Sequence, residues 1–171
     1  MIHRPGRVCA VLIVSLSLGL SLHGCWVGEA TDVRGDTDEG PSFDAQILDL
    51  LTGQADAWNG GDLDGFMVDY ERNPATSYIG SSGLITGFDA IRERYAPLFL
   101  PGALRDSLRF VDLVTRQFDQ RYGLATARYV LYRDGQTTST GPFTLVLVNV
   151  EGSWKITHDQ SASDPPPAEP E

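Results

Sequence analysis

The chain has 171 residues, with 13 Lys and Arg against 23 Asp and Glu, for a formal charge of −10. Phosphate backbones repel such a surface, which argues against a nucleic-acid partner. Two cysteines and three histidines leave little to build a zinc site or a thiol nucleophile, so no metal and no cofactor is expected.

In chain order the first segment is an address, not a structural element. His3, Arg4 and Arg7 make a basic start, and an apolar run extends from Val8 to Leu22. That run is shorter than the roughly 20 residues that cross a bilayer as a helix. It closes on Leu22-His23-Gly24-Cys25, which resembles the lipobox of bacterial lipoprotein precursors. The resemblance implies cleavage after Gly24, lipidation of Cys25, and a cell-envelope protein whose membrane partner is reached through that lipid. With Trp26 after the cysteine, a diderm host would sort it to the outer membrane, facing the periplasm. An ordinary signal peptide is the alternative. Cleavage would remove Cys9, His3 and His23, leaving His158 as the single imidazole and no free thiol. No G-x-S-x-G elbow supplies a serine for a triad using it.

Residues 25–41 read as an acidic linker, with Glu29, Asp32, Asp36, Asp38 and Glu39 and few bulky apolar side chains. Residues 164–171 form a proline-rich tail. The folded part is therefore expected over residues 42–163. Ser42 can cap a helix with Phe43, Ile47, Leu50, Leu51, Ala55 and Trp58 at helical spacing. Gly60-Gly61 stops it, and Asp62 caps a short second helix carrying Leu63, Phe66, Met67 and Tyr70. Residues Ala75 to Ile79 and Leu84 to Thr86 form a hairpin, and a third helix runs from near Gly87 to Pro101. Then the period changes to two. Strands are expected at Leu108 to Phe118, Tyr122 to Tyr132, Phe143 to Val150 and Trp154 to Ser161, with turns at Asp119-Gln120, Asp134-Gly135 and Glu151-Gly152. Three helices followed by a curved antiparallel sheet make an α+β domain.

Four segments carry a resemblance: Trp58-Asn59-Gly60-Gly61-Asp62, Ile85-Thr86-Gly87-Phe88-Asp89-Ala90-Ile91-Arg92, Gly141-Pro142-Phe143-Thr144-Leu145-Val146-Leu147, and Gly152-Ser153-Trp154-Lys155-Ile156-Thr157-His158-Asp159. Together they are similar to the nuclear transport factor 2-like superfamily, in its SnoaL-like and ketosteroid-isomerase-like branch. The resemblance implies a cystatin-like cone, in which the sheet wraps around the three helices and leaves a pocket. It implies no particular activity, because one backbone serves many chemistries.

On an unbroken last strand, Trp154, Ile156, His158 and Gln160 share a face. The first two belong in the core, so His158 and Gln160 are expected to face the cone, with Asp159 and Ser161 facing away. A bulge would exchange the faces. His158 is the candidate general base, since it titrates near neutrality; the plainer reading is a core or interface histidine. Asp159 would then sit at a dimer interface or on the surface. Trp58, Tyr70, Tyr78, Tyr95 and Tyr129, with His158 and Gln160, are the candidate pocket residues, the tyrosines offering apolar rings with one hydroxyl each. Asp112 is either a buried carboxylate or a wet-edge residue. Arg92, Glu93 and Arg94 read as a solvated run. Val146, Val148 and Thr157 lie on a sheet face the helices would not cover, which favours a homodimer. The leading expectation is a lipid-anchored domain binding a small, largely apolar molecule or a protein partner. The alternatives are an isomerase, dehydratase or hydrolase using His158, and a structural dimer module.

Overall fold

A computed structural model describes residues 40–165. The segment read as an export signal, Cys25, nearly all of the stretch read as a linker and the end of the tail lie outside the described residues.

Helix α1 (Phe43–Gly60) starts where the Ser42 hydroxyl accepts the Ala45 N–H at 3.3 Å. Its buried face is Phe43, Ile47, Leu50, Leu51, Gln54 and Trp58, a helical stripe. Gln54 is the departure from the expected pattern: its Nε2 donates to the Phe66 carbonyl at 3.1 Å and ties α1 to α2. The chain leaves α1 through Gly61 in the left-handed region, at φ 77°. Asp62 then caps α2 (Leu63–Met67), its carboxylate accepting the Gly65 N–H at 2.9 Å. Strands β1 (Ser77–Gly80) and β2 (Gly83–Thr86) form the short hairpin, followed by α3 (Phe88–Tyr95) and one 3₁₀ turn (Ala96–Phe99).

The long strands are β3 (Ser107–Gln117), β4 (Tyr122–Arg133), β5 (Gln136–Val150) and β6 (Ser153–Ser161). Asp134 and Gly135, at φ 50° and 77°, join β4 to β5, and Glu151 and Gly152, at 52° and 87°, join β5 to β6. Positive φ at both turn residues is the hairpin geometry that matches strand twist. The six strands make one curved, unclosed sheet in the order β2-β1-β6-β5-β4-β3. Neighbours are antiparallel except β1 and β6, which run parallel with Tyr78 opposite Asp159.

The helices fill the concave side. Ile47, Met67, Ile91, Leu147 and Ile156 are essentially inaccessible to solvent, and the Phe43 and Trp154 rings meet edge to face at 4.7 Å. The segment read as a simple helix stop does more. Asn59 presents its amide to β3 as a strand would, donating to the Leu108 carbonyl at 2.9 Å and accepting the Leu108 N–H at 2.8 Å. The Trp58 indole N–H donates to the Asp106 carbonyl at 2.8 Å. These bonds fix the end of α1 against the start of β3 and so set the width of the cone at that point.

Candidate functional site

The concave side holds a cavity of about 670 Å³, within the range usual for small-molecule sites. Its wall is mainly apolar, built from Trp58, Phe66, Leu98 and, on β3 to β5, Leu108, Phe110, Leu131, Phe143 and Leu145. Each strand contributes alternate residues, as the two-residue period dictates.

The polar part of the site depends on one irregularity in β6. Val146 pairs with His158 but the next residue, Leu147, pairs with Ile156, so Thr157 is an extra residue in the strand. The bulge falls where the other edge of β6 changes partner. Ile156 bonds both ways to the segment after α2, donating to the Asp69 carbonyl at 2.7 Å and accepting the Glu71 N–H at 2.9 Å, and β1 takes over from His158 onward. The extra residue exchanges the faces beyond it. Asp159 and Ser161 therefore line the cavity, and Asp159 is buried at 5 % exposure.

This corrects the expectation for His158. The imidazole lies outside the cavity, on the other face of the sheet, where its Nδ1 is 2.8 Å from the Ser77 hydroxyl. Gln160 is exposed and touches the cavity at its margin. Asp112 is exposed too: it occupies the bulge in β3 at φ 56°, a left-handed conformation that aspartate tolerates better than most residues. The four tyrosines and Trp58 do line the cavity. Trp58 offers only its ring, since its N–H is taken by Asp106. Tyr129 stands at the rim, its hydroxyl 2.8 Å from the Ser163 hydroxyl.

The C-terminal segment forms that rim by continuing the β6 ladder along β5. Ala162 N–H donates to the Pro142 carbonyl at 3.0 Å and Asp164 N–H to the Thr140 carbonyl at 2.8 Å. Gly141 lies under this crossing, where any Cβ would collide with the Ala162 carbonyl. An ion pair between Arg128 and Asp164 holds the segment's end.

Inside, the Tyr70 hydroxyl donates to Asp159 Oδ2 at 2.6 Å, and the Ser161 hydroxyl donates to Oδ1 at 3.0 Å. Burial pushes the Asp159 carboxyl above the usual carboxylate range; the bonds from Tyr70 and Ser161, and the nearby His158, act in the opposite direction. Burial likewise pushes the Tyr70 phenol well above 10, and the Asp159 charge adds to it. Tyr95 moves the same way, from burial and Asp159, and Tyr78 follows to a smaller degree. All three phenols are thus neutral donors at physiological pH. Tyr95 lies within hydrogen-bonding reach of the Tyr70 and Tyr78 hydroxyls, and Arg94 within reach of that of Tyr78. Tyr70 is committed to Asp159, so Tyr78 and Tyr95 carry the hydroxyls that a guest in the cavity can use.

The sequence reading missed Asp159, Ser161 and Gln54. Only a signal for the bulge, which local periodicity does not carry, would have turned the first two inward. Among the described residues no cluster of three His, Cys, Asp or Glu side chains is arranged to hold a metal ion, and no helix is long and apolar enough to cross a membrane.

The SnoaL-like domain family matches residues 47–165. Of the solved structures, a nuclear transport factor 2-like protein of unknown function from Shewanella oneidensis is 30% identical, with a TM-score of 0.61 over 68% of this chain and 96% of that one. A domain of unknown function with a cystatin-like fold from Nostoc punctiforme is 16% identical, with a TM-score of 0.62 over 75% of this chain and 82% of that one. A cystatin-like protein from Burkholderia xenovorans is 16% identical, with a TM-score of 0.58 over 72% and 93% respectively. At these identities the last two speak to the fold alone. No curated protein matches the chain.

Proposed function

The chain belongs to the SnoaL-like domain family, and from that membership we propose that its cavity binds one small, largely apolar molecule that presents an oxygen to Tyr78 and Tyr95. The observation that carries this reading is the buried Tyr70–Asp159 pair opening into an aromatic-walled cavity of about 670 Å³. A core that only needed filling would not hold a buried carboxyl there, because an unrelieved polar group in an apolar interior costs about 1–3 kcal/mol. Tyr70 and Ser161 relieve Asp159 and orient it. The aromatic walls supply the area that drives binding, and the hydroxyls supply direction.

The rest of the reading follows the N-terminus. Lipidation at Cys25 would tether the domain to a cell-envelope membrane through the acidic linker, and a homodimer would cover the sheet face bearing Val146 and Thr157; Val148, expected to be uncovered there, is already buried within the chain at 6 % exposure. Among the described residues, the partly buried Val146 and Thr157 on that face support the dimer.

A second reading is favoured by the raised pKa of a carboxyl facing a cavity, a combination found where proton transfer is catalysed. In that reading Asp159, and not His158, exchanges the proton of an isomerase, dehydratase or hydrolase reaction.

Native mass spectrometry of protein purified from its host tests the binding reading directly: a mass adduct is expected, and Leu131→Trp, which fills the cavity from β4, is expected to remove it. An adduct that survives Leu131→Trp unchanged would place the ligand elsewhere and refute the proposal.

A further inference from the structure

Arg92, Glu93 and Arg94 read in the sequence as one solvated run, and Glu93 and Arg94 are exposed, but the two arginines turn to different neighbours. Arg92 turns to α2 and pairs with Asp64 at 2.8 Å. Arg94 turns to the cavity, its guanidinium carbon 5.8 Å from the centre of the Tyr78 ring and 5.9 Å from that of Tyr95. It is the one cationic side chain among the residues lining the cavity. Like Arg72, Arg105, Arg109, Arg116 and Arg121, it makes no ion pair among the described residues, where the paired cations are Arg92, Arg128, Arg133 and Lys155. In a chain with a formal charge of −10, this exposed guanidinium gives a local positive field at the mouth of a cavity whose one other charged lining residue is the deeper Asp159.

The neighbouring groups are arranged to use that field. Burial and then the Asp159 charge push the Tyr78 and Tyr95 phenols up, and Arg94 beside them acts more weakly in the opposite direction. The hydroxyls left available by the Tyr70–Asp159 bond are therefore the same two that lie beside the guanidinium. Two neutral donors beside a solvent-facing cation at the mouth of the cavity make a receptor for a negatively charged oxygen. A neutral ligand oxygen would need the hydroxyls only. Leu108, Phe110, Leu131, Phe143 and Leu145 leave no second charge on the apolar side of the cavity.

We propose that the molecule bound in the cavity is an apolar organic anion, its oxyanion held by the Arg94 guanidinium and the Tyr78 and Tyr95 hydroxyls and its apolar body lying against the β3–β5 wall. This rests on the cavity-binding reading above and specifies the chemical class that reading left open. Arginine suits the task better than lysine, since its planar fork can meet two oxygens of one carboxylate or sulfonate.

Two fluorescent probes of one ring system test it: anilinonaphthalene sulfonate, which is anionic, and phenylnaphthylamine, which is neutral. Each is titrated into the folded protein, Arg94→Gln, Arg94→Lys and Leu131→Trp, with circular dichroism as a check on folding. The expected result is tighter binding of the anion than of the neutral probe. Arg94→Gln should weaken the anion about ten- to a hundredfold, the loss of one charge-assisted hydrogen bond, and leave the neutral probe unchanged. Arg94→Lys should recover part of the difference, and Leu131→Trp should weaken both probes. Equal binding of the two probes, or an anion affinity indifferent to Arg94→Gln, overturns the anion assignment while the cavity reading stands, provided Leu131→Trp still blocks both. If neither probe responds to Leu131→Trp, the cavity reading itself fails, and the assignment with it.

Discussion

Asp159→Asn tests the electrostatics of the site without changing its shape. The carboxyl is buried at 5 % exposure and accepts from Tyr70 at 2.6 Å and Ser161 at 3.0 Å. Folding raises its pKa from the usual 3.8, mainly through burial. Between the unfolded and folded values the unfolded chain has released the proton and the folded chain still holds it, so ionisation opposes folding. The stability the group contributes is therefore complete below 3.8 and is lost as pH rises through the raised folded value. One proton limits the slope to about 1.36 kcal/mol per pH unit inside that window. Asparagine cannot ionise and lacks this slope. It costs something at low pH, because one acceptor becomes an NH₂ and either Tyr70 or Ser161 must turn its hydrogen, a loss of about 0.5–1.5 kcal/mol. Urea unfolding of both proteins across a series from about pH 4 to pH 8, chosen to span the ordinary carboxylate range and beyond, gives the difference directly. Titrating groups that do not interact with Asp159 cancel in that difference. The variant is expected to be the less stable protein at the acid end and to gain on the wild type as pH rises. Parallel curves over the whole range would refute a burial-raised Asp159.

Tyr70→Phe leaves Asp159 Oδ2 without its donor in a buried site and is expected to cost about 1–3 kcal/mol at neutral pH by urea unfolding. Because Tyr70 titrates well above 10 in the folded chain, its contribution is present below 10 and lost above it, so the variant's alkaline unfolding curve should be the flatter one. Asn59→Ala removes both bonds to the Leu108 backbone and should lower stability by about 1–3 kcal/mol, with faster amide exchange at the start of β3 than elsewhere in the sheet. Cys25→Ser should abolish lipid labelling and move the protein into soluble fractions; unchanged membrane retention would refute the anchor. Sedimentation at tens of micromolar, a scale suited to a modest interface, should report a dimer, and Val146→Glu should make it a monomer.

The elements were legible because their signals are local. Ser42, the apolar stripe of α1, the Gly60-Gly61-Asp62 stop and start, and the Asp134-Gly135 and Glu151-Gly152 turns each act within a few residues, and the structure has each where the pattern put it. The start of β5 was not legible. Gln136 to Pro142 holds Thr137, Thr138, Ser139 and Thr140 but no apolar alternation, and what makes it a strand is the ladder that β4 offers, down to Arg133 opposite Gln136. A strand edge imposes extended structure on a polar neighbour through backbone bonds that side-chain periodicity does not report.

The candidate site divides along the same line. Trp58, Tyr70 and Tyr95 lie in step with the apolar stripes of their expected helices and Tyr129 with Ala125, Ala127 and Leu131 on its strand, whereas Tyr78 in the short hairpin carries no such signal. The pairing of Tyr70 with Asp159, 89 residues apart, could be decided only in the assembled sheet. Whether His158 or Asp159 faces the cone turns on the single extra residue at Thr157, and that residue is extra only relative to β5, where Leu147 answers Ile156. Local sequence determines which residues alternate along a strand; the partner strands on either side determine where the alternation breaks, because a bulge is a mismatch between two registers and exists in neither strand alone.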